Sequence, residues 1–187
     1  MTSFTSLVAA FAIALSGLLP NAVTTPGAIN PDVTQSNISQ TICVSGYSST
    51  IRPPSSYTTA LKIKQLQQGY AVNGDLRTSS YEEDHLISLE LGGHPTDPKN
   101  LWPEPYAGSA GARIKDTLEN RLHDLVCSGK LLLKTAQRAI AVNWEDAYQL
   151  YVGPLPTDSG GTVSPNVTSA PKKKLKVKPL SNPAHHR

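Results

Sequence analysis

Glu82, Glu83, Asp84 and His85 set three carboxylates in a row directly beside an imidazole. Charge is expensive to bury unless something neutralises it, and a divalent cation would do so. A hard ion such as Mg2+ binds through one or two carboxylates, with water and phosphate oxygens completing its shell. The imidazole, whose unperturbed pKa lies near neutrality, could then take a proton from an attacking water. The metal would stabilise charge on the scissile phosphate and the leaving oxygen. Those requirements define a one-metal phosphodiesterase site. Consecutive strand residues point to opposite faces, so Asp84 and His85 reach one ion only where the strand is twisted or bulged.

The elements around these residues follow from pattern. Tyr81 to Leu91 alternates apolar and polar residues after His85 and reads as a strand, ended by Gly92-Gly93 and the stretch from Pro95 to Pro98. Asn100 to Trp102 starts a short second strand, which Pro103 and Pro105 should stop. Two strands joined by a Gly/Pro-rich connection predict an antiparallel ribbon with a long loop. A helix is expected over Ala110 to Cys127, with Ile114, Leu118, Leu122 and Leu125 as its buried stripe. Asp116, Glu119, Asn120 and His123 share another face of that helix. Two more helices are predicted, Lys134 to Val142 and Trp144 to Tyr151, with Asn143 capping the second. Earlier in the chain, Thr59 to Gln68 reads as a helix ended at Gly69, and Thr41 to Val44 as a strand within a loop-rich stretch. The fold class expected is α+β: a two-stranded ribbon and a long helix, with further helices and a loop-rich N-terminal segment.

The run DHLISLELGGHPTDPKNLW, from Asp84 to Trp102, resembles the core of the HNH, or His-Me finger, nuclease superfamily. That ββα-metal core has an Asp-His pair on one strand, a Gly-rich bend, an Asn starting the next strand, and then a helix. The resemblance covers residues 81–125, and the wider chain also resembles a group of small exported bacterial proteins with this same middle. It implies an endonuclease in which His85 is the general base and Asp84 holds one divalent ion, Mg2+ in the first place and Mn2+ or Zn2+ otherwise. Asn100 would tie down the loop and orient His85. The superfamily's last metal ligand is a His or Asn on the helix, and Pro103 to Gly111 offers none. A loop insertion then makes Asn120 the candidate ligand, with His123 or Glu119 as substitutes. Lys115 and Arg121 are candidate phosphate contacts, and the implied partner is DNA or RNA, gripped through its phosphate backbone. The competing expectation is a non-catalytic exported binding module that keeps an HNH-like fold without a working metal site.

Composition bounds where such a protein works. Leu7 to Leu19 is an uncharged apolar run, too short for the roughly 20 residues that cross a bilayer, and it fits the core of a signal peptide cut near Ala22. Residues 23–153 are then the nuclease-like domain and 154–187 a disordered basic tail. Residues 1–170 sum to −3 and residues 171–187 to +6, so the net +3 describes neither part. A basic tail on an acidic body suggests a tethered hook for polyanions. Cys43 and Cys127 exclude a four-cysteine zinc site and, in an exported chain, are expected to form one disulfide. The mature protein is expected to be a secreted or periplasmic monomer with no membrane segment.

Overall fold

The computed structural model describes residues 19–157. The apolar run up to residue 18 and the basic tail from residue 158 lie outside the described residues. The architecture is α+β, with a two-stranded antiparallel sheet and five helices among the described residues. In chain order these are α1 (Tyr47–Ile51), α2 (Ser55–Gln65), β1 (Tyr81–His85), β2 (Leu101–Pro105), α3 (Ala112–Cys127), α4 (Leu133–Val142) and α5 (Trp144–Tyr151). The order β1–loop–β2–α3 is compatible with a ββα finger.

The ribbon differs from expectation at both strands. β1 stops at His85, and Leu86 to Leu91 bends away into a 3-10 turn whose apolar residues are all buried. The cause is Asn100, whose side chain takes up both the N–H and the C=O of Ile87 and so ends the ladder. β2, by contrast, runs on through both prolines. Leu86 donates to the Asn100 carbonyl at one end (2.8 Å) and Tyr106 to the Ser80 carbonyl at the other (3.0 Å). Ladder bonds therefore fall on even-numbered residues, and Pro103 and Pro105, opposite Glu83 and Tyr81, occupy positions where no ladder N–H is needed.

α3 buries a stripe turned from the expected one. Ala112, Lys115, Leu118, Glu119, Leu122 and Val126 face inward, while Ile114 and Leu125 are only half-buried. Its C-terminus closes at Gly129, in the left-handed region at φ 69°, with Lys130 donating back to Leu125. Leu118, Leu122 and Val126 pack with Ala136 and Ile140 of α4, Trp144 and Ala147 of α5, and Ile87 and Leu91 of the loop. Asn143 caps α5 by accepting from the N–H groups of Glu145 and Asp146, as the sequence predicts. The stretch around Thr41 to Val44 is turn, not strand. Its place is fixed by the disulfide between Cys43 and Cys127, with Cα atoms 5.6 Å apart. α2 starts four residues earlier than predicted, at Ser55. It lies on the ribbon, Lys62 donating to the Tyr81 carbonyl and Gln65 to that of Leu101.

Candidate active site

The loop between the strands is built around two residues, Asn100 and Gly93. Asn100 is fully buried; besides its two bonds to Ile87, its Nδ2 donates to the His94 carbonyl at 3.1 Å. Gly93 approaches so closely that an added Cβ would lie 1.7 Å from the Ile87 carbonyl oxygen and 2.7 Å from Asn100 Nδ2. Only glycine fits there. The loop so fixed brings the Pro95 carbonyl 2.9 Å from Nε2 of His85. Since a carbonyl can only accept, Nε2 must carry the ring proton, and Nδ1 is left with the lone pair. Burial pushes the His85 pKa below its ordinary value, the Pro95 bond and Asp84 acting against it. At neutral pH the group is thus an uncharged imidazole with its tautomer set by the backbone.

On the other face of β1, Asp84 meets Lys115 of α3. The ammonium is almost fully buried and donates to Asp84 Oδ2 at 2.5 Å, to the His85 carbonyl at 2.9 Å and to Oε1 of Glu119. Glu104, fully buried on β2, has Oε2 4.0 Å from the same nitrogen. One cation therefore faces three carboxyl groups, and their protonation states divide. Burial works to raise the Asp84 pKa, but Lys115, with hydrogen bonds from Glu104 and Lys115, more than reverses this. Burial holds Glu104 well above the usual carboxylate range and pushes Glu119 up to about 8 against the pull of Lys115. As a carboxylate, Glu104 would have no donor for either oxygen; protonated, it can donate to Asp84. At neutral pH the cluster is an Asp84–Lys115 ion pair flanked by two neutral acids. The rim of the cluster carries more acid. Burial raises the pKa of both Glu82 and Asp116, and each also feels Asp84.

Glu83 shares the His85 face of the ribbon, because they are two residues apart. Both its oxygens are buried without a partner, and burial pushes its pKa up to about 8 despite Lys62. It is not the solvated charge that its polarity suggests.

The structure brings some of the predicted residues together and separates others. Asp84 and His85 end β1 and Asn100 immediately precedes β2 beside them, its side chain holding the loop rather than either residue. Strand pairing there is regular, with Asp84 opposite Trp102 and His85 opposite Leu101, and no bulge turns the two side chains toward each other. The α3 side chains that meet Asp84 are Lys115 and Glu119. Asn120 is exposed and donates to the Asp116 carbonyl of its own helix. His123 lies at the disulfide, bonded to the Ile42 carbonyl at 2.9 Å. Lys115 is buried away from any polyanion, and Arg121 is exposed with Nε on the Tyr151 carbonyl. Glu104 escapes the sequence reading because Pro103 and Pro105 hide the strand in which it shares a face with Trp102. The Lys115–Glu119 pairing was open to inference from its four-residue helical spacing.

Among the described residues, three metal-type ligands converge at Cys43, His123 and Cys127, whose ligand atoms all lie within 4.8 Å of one another. The two sulfurs are joined in the disulfide. No described helix is long and apolar enough to cross a membrane. Comparison with protein-family models, with curated proteins and with solved structures finds no match for this chain.

Proposed function

We propose that the chain is a metal-dependent nuclease of the HNH type its β1–loop–β2–α3 segment resembles, hydrolysing phosphodiester bonds of nucleic acid with His85 as general base. The observation carrying this reading is the fixed imidazole of His85, neutral and with Nε2 committed to the Pro95 carbonyl. A base of this kind can accept a water proton at Nδ1 without first losing one of its own. Asn100 and Gly93 act as positioning residues, since the carbonyl that orients the ring belongs to the loop they hold. Asp84, kept ionised by Lys115, would hold the ion, with Glu82 or Asp116 as its neighbour. Because Asp84 and His85 leave β1 on opposite faces, on this reading the end of the strand must twist when ion and substrate bind. Carboxylate oxygens suit a hard ion such as Mg2+ or Mn2+, and one or two suffice when water and phosphate complete the shell. Bound there, the ion would stabilise charge on the phosphate and leaving oxygen.

Lys115 favours a second reading. Its ammonium already neutralises Asp84, so the fold has no electrostatic need of a metal, and a binding module without chemistry would look the same in that respect. The two are separated by incubating plasmid DNA and single-stranded RNA with the protein and Mg2+ or Mn2+. The nuclease is expected to cleave at least one of them, to stop with a chelator, and to lose at least about a hundredfold in rate as His85→Ala. His85 is buried, so that variant should also melt a few degrees lower while keeping its circular dichroism. Undiminished cleavage by His85→Ala would remove the base assignment. No cleavage and no heat on titration with either ion would leave the module.

A further inference from the structure

We propose that reduction of the Cys43–Cys127 bridge converts this corner of the fold into a zinc site, made of both thiolates and the His123 imidazole, with water in the fourth position. α3 presents His123 and Cys127 one turn apart on the same face, with Nε2 of His123 3.4 Å from the Cys127 sulfur. Cys43 is brought to them by the turn that precedes α1, its N–H held by the Ile38 carbonyl at 2.9 Å. The three ligand atoms lie within 4.8 Å of one another. With zinc–sulfur bonds of about 2.3 Å and zinc–nitrogen bonds of about 2.0 Å, the two sulfurs need only part from bonding distance while His123 stays within reach.

A cleft of about 430 Å3 opens onto the same group, lined among others by Cys43, Gly46, Tyr47, Glu90 and His123. It supplies a route for the ion and room for the sulfurs to part. The fourth position is left to water, and Glu90, which lines the same cleft, supplies a nearby acidic group. Sulfur in a disulfide carries no anionic charge, whereas a thiolate is a strong ligand for a soft or borderline ion. Two equivalents of a small thiol reduce the bridge, becoming a disulfide themselves and leaving two protein thiols. Uptake of Zn2+ then releases both thiol protons, and Nε2 of His123 leaves the Ile42 carbonyl for the ion as the ring shifts its proton to Nδ1. The same positions thus tether the N-terminal segment to α3 in both redox states, covalently when oxidised and through the metal when reduced. Thiolate and imidazole donors set this site apart from the hard-ion position at Asp84.

Cobalt is the probe. The full chain, reduced with a phosphine that does not compete for the metal, is titrated with Co2+ and then Zn2+. One equivalent of Co2+ should give thiolate charge-transfer and tetrahedral d–d absorption, displaced by Zn2+ and absent from the oxidised protein. His123→Ala should weaken binding about tenfold or more. Absence of thiolate bands, or equal affinity in His123→Ala, overturns the proposal. Should reduction unfold the chain, Zn2+ should restore its helical circular dichroism in the parent protein and not in Cys127→Ser; no restoration overturns it equally.

Discussion

Lys115 and His85 show how much the immediate surroundings of a side chain decide. A buried lysine is held charged against its burial chiefly by Asp84, and burial holds the histidine next to that aspartate neutral. Two acids respond most clearly to pH. Glu83 and Glu119 titrate near 8 in the fold against an ordinary 4.5, so the native state binds more protons than the unfolded one between those values. Stability from these groups is complete below about pH 4.5 and is lost as pH rises toward 8. His85 and Asp84 act in the opposite direction, each favouring the fold above its ordinary pKa and withdrawing that support as pH falls. The two shifted glutamates outweigh the single histidine across the neutral range. The melting temperature should therefore fall from pH 5 to pH 8.5, by on the order of 5 °C or more. Thermal melts across that interval test this, and Glu119→Gln with Glu83→Gln should flatten the slope. A melting temperature that instead rose across that interval would show that neither glutamate is protonated in the fold.

At the scale of elements, the helices were legible and the ribbon only partly so. α4, α5 and the cap at Asn143 follow from local periodicity and turn chemistry, which need no tertiary partner. α3 was placed to within two residues, but its buried face was misjudged. A hydrophobic stripe assigns Lys115 and Glu119 to solvent, and only a strand pair bearing Asp84 and Glu104 makes burying them tolerable. The strands misled for related reasons. Leu86 to Leu91 has strand-like alternation, yet a side-chain amide thirteen residues away from Ile87 ends the pairing. Of the candidate site, the Asp84–His85–Asn100 corner could be read from residue order. Its contact with α3 could not, since that depends on which helical face turns inward. The loop offers a test at this scale. Gly93→Ala drives a methyl group into the Ile87 carbonyl and the Asn100 amide. It should cost about 1–3 kcal/mol in urea unfolding and, on the proposed nuclease reading, reduce cleavage along with it, because the Pro95 carbonyl that orients His85 would move. A variant of unchanged stability would show that the loop relaxes freely.

Across the whole molecule, the disulfide joins residues 84 positions apart, tying the N-terminal turn to the end of α3. Closing so long a loop restricts the unfolded chain by about 4 kcal/mol in the chain-entropy account. Cys43→Ser/Cys127→Ser should lose a comparable amount in metal-free denaturant titrations, with little change in native circular dichroism; a loss under about 1 kcal/mol would show that packing alone holds the segment. The prolines of β2 carry a different consequence. Because they fall at the outward-pointing positions, the ribbon's free margin lacks the two amide hydrogens a visiting strand would grasp, and the Leu101 carbonyl between them and the loop is already claimed by Gln65. A two-stranded sheet in a small protein is an open invitation to fibril growth or exchange of arms between copies. Here the invitation is withdrawn by the two residues that, on paper, argued against there being a strand at all.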